Sequence, residues 1–240
     1  MIEMKHVEKS YPGSRMRLVI NELQFRKGEI TAIVGANGSG KTTLLKAIMG
    51  IGNARYPFGH ILVDGKLNVQ QYEKLSFITE EGSYFPHMTP SEYAAFLADF
   101  FPKFDHNRYG RLLEYFELAA DQRIKTMSTG QKSKLEICAG FSKQADYIIM
   151  DEPFNGKDMF TRRDFLKLMI ANMRDEEAII MTTHIVDEIE NVIDRAIILH
   201  QGSVKADITI DELREQGITL AEKMSVITGY KPNRIDKFME

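Results

Sequence analysis

The sequence predicts an α/β fold with a mainly parallel sheet, an antiparallel β part at the N-terminus and an inserted α-helical subdomain. Three observations support this prediction. Apolar strand patterns alternate with helical patterns late in the chain, as parallel α/β sheets require. Strand patterns separated by turn residues open the chain. The middle of the chain instead carries amphipathic helical patterns with their own capping residues.

The strands are predicted from short apolar or alternating runs bounded by turn residues. Tyr11-Pro12-Gly13 marks the turn after the first run, and Asp64-Gly65 closes the fourth. Each of the last three runs follows a helical pattern, and the third leads into a helix over Thr42–Met49. The runs occupy residues 2–9, 17–25, 29–34, 59–67, 75–79, 146–150, 178–183 and 195–200.

Two helices are expected in the middle of the chain. Thr89-Pro90-Ser91-Glu92 has the residues of a capping box, and Asp105 is placed to cap a second helix. Ten of the 23 aromatic residues lie between Tyr84 and Phe116. These aromatic stripes indicate either an ordinary core or a groove that receives a partner, and both hold if the subdomain has a small core and an exposed rim. The first stripe comprises Tyr93, Phe96, Leu97, Phe100 and Phe101.

This pattern predicts three parts of the chain. Residues 1–82 and 145–217 form an α/β core with the antiparallel β part, and residues 83–144 form the helical subdomain. Residues 218–240 form a C-terminal extension, a helix or a packed segment.

Composition limits the functional classes. A net charge of −3 over 240 residues gives no basic surface for nucleic acid. Cys138 is the only cysteine, so no disulfide framework is expected, which suits a reducing compartment. No apolar run approaches the ~20 residues that cross a bilayer, and the opening residues do not read as a signal peptide. We expect a chain that is soluble by itself.

The stretch IVGANGSGKTTLL, residues 33–45, is the strongest local signal. Its spacing fits the P-loop, in which backbone N–H groups at a helix N-terminus hold phosphate. Glycines at 35, 38 and 40 leave room for the phosphate to approach the chain. Lys41 is placed to reach the β- and γ-phosphates, and Thr42 to ligate Mg²⁺. The alternative is a glycine-rich turn with a solvated lysine.

Ionisable residues follow two of the late strands. YIIMDEP, residues 147–153, ends in two carboxylates, which a buried strand would not carry without a use for the charge. Asp151 is placed to orient Mg²⁺, and Glu152 to polarise an attacking water. His184 follows the strand over 178–183, where it would contact a γ-phosphate. The alternatives are a surface acidic pair and an ordinary structural histidine.

Taken together, these motifs resemble the ATP-binding cassette (ABC) family over about residues 2–213. GANGSGKT resembles Walker A, YIIMDE resembles Walker B, and MSTGQ at 127–131 stands where the family has its signature sequence. Asn155-Gly156-Lys157-Asp158 falls at the D-loop and Thr183-His184 at the switch histidine. Tyr11 matches the aromatic residue on which adenine stacks.

The resemblance implies ATP and Mg²⁺ as cofactors, and ATP hydrolysis as the activity. Catalysis is expected from Glu152, His184 and Lys41. Thr42, Glu80 and Asp151 would hold the metal. The residues expected to bind ATP are Tyr11, Gly35, Asn37, Gly38, Ser39, Gly40, Lys41, Thr42, Thr43, Ser128, Gly130, Gln131 and Asp158.

The sequence departs from the family pattern at two positions. Thr129 stands where the signature has a glycine, which puts catalytic efficiency in question because Thr does not adopt glycine-only backbone angles. Glu80 stands where the Q-loop usually has a glutamine. The segment LSFITEEGSYFPHMT around it resembles that of bacterial exporters of the bacitracin-resistance and sodium-extrusion type. A glutamate keeps a hard oxygen for Mg²⁺.

The resemblance implies a subunit that energises transport through a separate transmembrane permease, as an exporter. It would form a homodimer or heterodimer with each ATP between Walker A of one subunit and MSTGQ of the other, in the cytoplasm at the inner face of the membrane. The alternative is a soluble ABC-type ATPase that acts in assembly or repair. A P-loop kinase or GTPase is hard to reconcile with MSTGQ ahead of YIIMDEP.

Overall fold

A computed structural model of the protein describes residues 1–10, 17–52, 54–55, 59–79, 82–154 and 159–229. The strands are β1 Ile2–Ser10, β2 Arg17–Phe25, β3 Ile30–Val34, β4 Ala54–Arg55, β5 His60–Val63, β6 Lys66–Leu67, β7 Leu75–Ile78, β8 Tyr147–Met150, β9 Ala178–Thr183, β10 Arg195–His200 and β11 Ser203–Thr209. The α-helices are α1 Lys41–Ile48, α2 Pro90–Phe100, α3 His106–Tyr115, α4 Thr129–Ser142, α5 Met159–Asn172, α6 Ile210–Glu215 and α7 Leu220–Thr228.

One mixed sheet organises the fold. Its strand order is β6-β5-β1-β2-β11-β10-β3-β9-β8-β7, with β4 beside β1. Strands β10, β3, β9, β8 and β7 are parallel neighbours, whereas β1 pairs antiparallel with β2, β4 and β5. The predicted combination of a parallel sheet with an N-terminal antiparallel part is therefore confirmed.

The central strands are apolar runs because both faces of the sheet are covered. Alternate side chains of a strand point to opposite faces. Ile33, Ile149 and Ile180 pack on one face with residues of α1, including Leu44. Ala32, Val34, Ile148 and Met150 pack on the other face with residues of α2 to α5. This two-sided burial holds β3, β8 and β9 rigid, and their carboxyl ends carry the site.

Helices α2, α3 and α4 lie between β7 and β8 along the chain. The predicted caps are present. Thr89 Oγ1 accepts a hydrogen bond from the Glu92 N–H at 3.2 Å, and Glu92 Oε2 accepts one from the Thr89 N–H at 2.8 Å. The Asp105 side chain caps α3 by accepting a hydrogen bond from the backbone of Arg108. These helices fall within the predicted subdomain 83–144, and the division of the chain into subdomains stays a prediction.

The aromatic stripe of α2 is divided between core and surface. Tyr93 and Leu97 are buried, whereas Phe100 is 62% exposed. The Phe96 ring lies 5.0 Å from the Phe85 ring and 4.9 Å from the Phe100 ring, centroid to centroid. Phe85 is 47% exposed. The inner members of the stripe therefore form core, while Phe96 is half-buried and Phe100 is exposed. That this surface receives a partner stays a prediction.

The structure differs from the sequence prediction around Asp64. The single strand expected at 59–67 is a hairpin of β5 and β6. Asp64 and Gly65 have φ angles of 49° and 80°. Two consecutive positive φ angles are typical of the tight turn that reverses a hairpin, and Asp-Gly is a preferred pair for it. The turn signal was present, but the two residues after it are too few to show a strand pattern.

A helix expected before β10 is absent from the described chain. Residues 184–194 form turns, with hydrogen bonds such as Val192 N–H to Ile189 O at 2.8 Å. Ile189 and Ile193 are nevertheless buried. This link crosses over β3 in fewer than the dozen or more residues that a helical crossover usually needs. The apolar spacing indicates burial there, and not a helix.

Past β11, helices α6 and α7 complete the described chain. Thr209 and Thr219 cap them through capping boxes, and Leu213 and Leu220 are buried in the core. The first part of the expected extension 218–240 is thus a helix, and residues 230–240 lie outside the description. None of the helices described is long and apolar enough to cross a membrane.

Candidate active site

The P-loop joins the central strand β3 to the N-terminus of α1. Gly38 and Gly40 have φ angles of 79° and 107°, in the left-handed region that favours glycine. Gly40 occupies the N-cap position of α1 and offers no side-chain acceptor to the first turn. The N–H groups of that turn are therefore left for an anion, which the positive end of the helix dipole also attracts.

Ser39 supplies an independent indication that this loop takes a ligand. Its side chain is buried, and Oγ has no hydrogen-bond partner among the described residues. A buried hydroxyl without a partner is costly. A phosphate oxygen at the loop would provide that partner, so the residues present fit the phosphates of ATP. Asn37 and Thr43 occupy the same loop and the first turn of α1, as expected.

Lys41 connects the loop to the acidic pair. Its Nζ donates a hydrogen bond to Gly35 O at 2.9 Å and lies 3.1 Å from Glu152 Oε1. The lysine is 6% exposed. A cation held this firmly beside the helix N-terminus contributes positive charge where phosphate would sit, as a P-loop lysine does.

Asp151 lies between Thr42 and Thr182. The Thr42 hydroxyl donates a hydrogen bond to Asp151 Oδ1 at 3.0 Å, and the Thr182 hydroxyl donates one to the same oxygen at 2.7 Å. Thr42 and Asp151 thus bring two hard oxygens together at the start of α1. Mg²⁺ prefers such oxygens and shares its coordination with substrate phosphates. The two side chains therefore fit the predicted metal site.

Glu152 adopts an unusual backbone conformation. Its φ angle is 46°, which is uncommon for a residue other than glycine and often marks a functional position. The Glu152 N–H donates a hydrogen bond to Thr182 Oγ1 at 2.9 Å. Its Oε2 lies 2.9 Å from His184 Nδ1, and its Oε1 is the partner of Lys41. The carboxylate is thereby held between the lysine and the histidine.

Thr182 is the residue of this cluster that the sequence prediction missed. It is fully buried at the end of β9, and its hydroxyl contacts both the Asp151 side chain and the Glu152 backbone. The available signal was polarity, since Thr182 and Thr183 end an otherwise apolar strand. A threonine in a buried strand is common enough that its position alone did not indicate a role.

The signature residues form the N-terminus of α4. Ser128 Oγ accepts a hydrogen bond from the Gln131 N–H at 3.2 Å, and Gln131 Oε1 accepts one from the Ser128 N–H at 2.9 Å. Ser128, Thr129 and Gly130 are exposed. Thr129 is the first residue of the helix, and its φ is not positive. The threonine therefore meets no glycine-only requirement in this structure.

The structure brings five of the predicted residues into one cluster at the carboxyl ends of β3, β8 and β9. They are Lys41, Thr42, Asp151, Glu152 and His184. The exposed signature residues lie on a separate helix that packs against β7, α2 and α3. The expectations for Tyr11, Glu80, Asp158 and residues 155–157 concern positions outside the described residues and stay predictions.

A glycine-rich loop at a helix N-terminus, with an acidic pair at the carboxyl end of another parallel strand of the same sheet, is the arrangement of P-loop nucleotide-binding proteins. The sequence model of the family described as "ABC transporter" matches residues 20–155, more than half of the chain. The chain therefore belongs to the ABC transporter family. It is an ABC ATP-binding cassette, and cassettes of this family are ATPases.

Individual relatives agree with this assignment. The ABC transporter ATP-binding protein YtrB of Bacillus subtilis is 30% identical over 224 residues, which cover 92% of this chain and 76% of YtrB. The sulfate/thiosulfate import ATP-binding protein CysA of Salmonella typhi is 28% identical, with 85% of this chain and 59% of CysA covered. A solved ATP-binding subunit of an ABC transporter has a TM-score of 0.82 at 28% identity, covering 94% of this chain and 98% of that structure.

Proposed function

We propose that the protein hydrolyses MgATP to drive transport across the cytoplasmic membrane through a separate permease subunit, and that it acts as an exporter. It would work in the cytoplasm, held at the inner face of the membrane by that permease. The observation that carries the proposal is the cluster of Lys41, Thr42, Asp151, Glu152 and His184 beside the N-terminus of α1.

The cluster supports a proposed role for each side chain. The α1 N-terminus and Lys41 would bind the β- and γ-phosphates, and the Ser39 hydroxyl would pair with a phosphate oxygen. Thr42 and Asp151 would hold Mg²⁺, whose charge would offset that of the phosphates. Glu152 would accept the proton of the attacking water, since it is the carboxylate nearest to both Lys41 and His184. His184 would hold Glu152 in place and face the γ-phosphate.

The exposed signature residues support a catalytic dimer. The Ser128 oxygen accepts a hydrogen bond from the Gln131 N–H within the cap. Its hydroxyl hydrogen therefore remains available to an acceptor on another molecule. Gly130 has no side chain to obstruct an approach. We infer that they face ATP bound to another subunit, either a second copy of this chain or a related cassette. Gln131 would act mainly by fixing Ser128.

The direction of transport rests on the segment around Glu80, which resembles that of bacterial exporters. The likeness to an import protein such as CysA shows that overall similarity does not separate the two directions.

Inside-out membrane vesicles test the direction of transport. Vesicles that carry the wild-type complex receive ATP and a cytoplasmic extract on their outside. An exporter accumulates its substrate inside the vesicles, and mass spectrometry compares this accumulation with that in vesicles that carry the Glu152→Gln complex. No accumulation in vesicles whose complex hydrolyses ATP would contradict export.

The aromatic row of the exposed Phe85 and Phe100, with the half-buried Phe96 between them, is the surface that we propose for the permease. Exposed aromatic side chains are frequent anchors of protein interfaces. Phe100→Ser is expected to weaken co-purification of the permease in detergent by about tenfold or more in affinity, while ATP hydrolysis by the isolated subunit is unchanged. Val226→Ser, at an 82% exposed position on α7, is the matched control. Equal binding by both variants would move the permease site elsewhere.

Tyr11 is proposed as the surface on which adenine stacks. Tyr11→Ala should weaken ATP binding by about 1–3 kcal/mol, the size of base–aromatic stacking. Tyr11→Phe should bind ATP nearly as the wild type does, because stacking uses only the ring. Isothermal calorimetry measures both. Equal losses in the two variants would show that the hydroxyl matters and that stacking is the wrong explanation.

Glu80 is proposed as an oxygen ligand of Mg²⁺ or of the attacking water, and as a link between nucleotide state and the helices that face the permease. A carboxylate near the γ-phosphate needs the metal to offset charge repulsion, whereas a neutral amide does not. Glu80→Gln should keep measurable hydrolysis with an altered Mg²⁺ dependence. Glu80→Ala should weaken stimulation by the permease. Superimposable Mg²⁺ curves for wild type and both variants would exclude contact with the metal.

A further inference from the structure

Helix α4 carries a buried carboxylate that the proposed reaction does not use. Glu136 is 2% exposed, although a charged side chain is rarely fully buried without an ion partner. The described residues provide no cation within 4.0 Å of it. Burying a carboxylate is costly, and hydrogen bonds to its oxygens must offset that cost. The groups that donate those hydrogen bonds therefore indicate what the glutamate does in this helix.

The hydrogen bonds of Glu136 all go to one neighbourhood. Its Oε1 accepts the Ser83 N–H at 2.9 Å and the Tyr93 O–H at 3.3 Å, and its Oε2 accepts the Ser83 O–H at 3.1 Å. Tyr93 and Ser83 are also 2.8 Å apart through their oxygens. Burial and the nearby carboxylate raise the pKa of Tyr93, so its hydroxyl stays protonated as a donor. Glu136 thus accepts hydrogen bonds from the backbone of Ser83 and from the side chain of Tyr93, which itself contacts Ser83.

Ser83 occupies a particular place in the chain, three residues after Glu80. The Gly82 N–H donates to Thr79 Oγ1 at 3.2 Å, so the chain is anchored just before and just after residues 80 and 81. Glu136 supplies the next anchor. Through Ser83, Glu136 connects the segment that follows position 80 directly to α4, the helix that Ser128 caps.

Helix α4 is suited to transmit a displacement. Near its other end it packs closely on β7: Gly140 O accepts the Ser76 O–H at 2.9 Å, and a side chain at Gly140 would collide with Ile78. Ser128 lies eight residues before Glu136, which is about 12 Å along a helix axis. A regular helix over that length moves as a unit. A shift at Ser83 would therefore be carried to Ser128.

We propose that Glu136 is a positioning residue for ATP hydrolysis: by holding Ser83 it ties the segment after Glu80 to α4, and so sets where Ser128 meets ATP on the partner subunit. The inference rests on the proposed catalytic dimer. Glu136 would act through Ser83 and Ser128 without touching the nucleotide. Its loss should lower the turnover number and leave the binding of ATP to the P-loop of the same subunit unchanged.

The test compares Glu136→Leu, which removes the acceptors, with Glu136→Gln, which keeps one carbonyl oxygen for the Ser83 N–H. For Glu136→Leu, kcat per ATP-binding molecule should fall about tenfold or more, with the Kd for ATP within about twofold of wild type. Glu136→Gln should recover most of the turnover. Leu112→Ala, a buried change on α3 of the same helical segment, is the control for lost stability alone.

Glu136→Leu and Leu112→Ala with equal kcat per ATP-binding molecule would overturn the inference, because a structural role lowers the folded fraction and not the turnover of folded molecules. If Glu136→Leu does not fold, Ser83→Pro, which has no N–H to donate to Glu136, is compared with Ser83→Ala, which keeps that N–H. Lost turnover with normal ATP binding in Ser83→Pro alone supports the proposal, and equal turnover in the two variants rejects it. A wild-type protein that binds ATP without hydrolysing it would instead contradict the proposed function.

Discussion

Glu152→Gln is expected to bind ATP normally and to lose most of its hydrolysis. A general base contributes roughly 10²–10⁴-fold to a rate, and an amide does not take a proton from water. The substitution should disturb little else, because Gln keeps an oxygen for Lys41 Nζ. The hydrogen bond to Thr182 Oγ1 comes from the backbone N–H of residue 152 and stays intact. Phosphate release at saturating ATP gives kcat, and calorimetry gives the Kd for ATP.

The same variant should accumulate as an ATP-bound dimer, since hydrolysis no longer separates the subunits. Gel filtration with and without ATP detects it. Glu114→Gln makes the same chemical change at an exposed position on α3 and is the control. Near-normal phosphate release by Glu152→Gln would remove this residue from the role of base, and a monomer at saturating MgATP would count against the proposed dimer.

Thr182→Val is expected to lower kcat by about 10- to 100-fold, the range seen when groups that orient a metal site are removed. Valine has nearly the shape of threonine, so packing in β9 is kept. The change removes the donor to Asp151 Oδ1 and the acceptor for the Glu152 N–H together. Glu152 would then lose a hydrogen bond that holds its backbone at a φ of 46°.

Thr182→Ser should recover most of this loss because the hydroxyl is restored. Thr31→Val, at a buried threonine of the neighbouring strand β3, controls for placing an extra methyl group in the sheet. The measurements are kcat and the Mg²⁺ concentration for half-maximal activity. Serine and valine variants that are equally impaired would show that packing is responsible and not the hydroxyl.

Much of the sheet was predictable from the sequence because its strands are buried on both faces. For that reason β8 is an uninterrupted apolar run and β9 is an apolar run that ends in two threonines, and the P-loop identifies the strand before it. The hairpin after Asp64 and the turns at 184–194 were not predictable by periodicity. In both places the chain is too short for a repeat to develop, and the backbone path depends on neighbouring strands.

The site shows the same division. Lys41 could be predicted from the spacing of the P-loop, and Asp151 and Glu152 because their charge is unusual next to a buried strand. Thr182 and Glu136 act through hydrogen bonds to residues 30 and 53 positions away in the chain. Such pairings depend on which strand and helix become neighbours. The sequence alone contains no local signal for them.

The placement of β3 has a consequence for how the protein folds. β3 lies between β9 and β10, so the strand that carries the P-loop acquires its two neighbours only from residues 178–183 and 195–200. Pairings between segments this distant in the chain form slowly, because closing the long intervening loop costs conformational entropy before the pairing contributes stability. During synthesis, the phosphate loop leaves the ribosome long before the strands that flank it. ATP binding can therefore report that a late stage of folding is complete. A chain whose synthesis stops before β10 should not bind ATP.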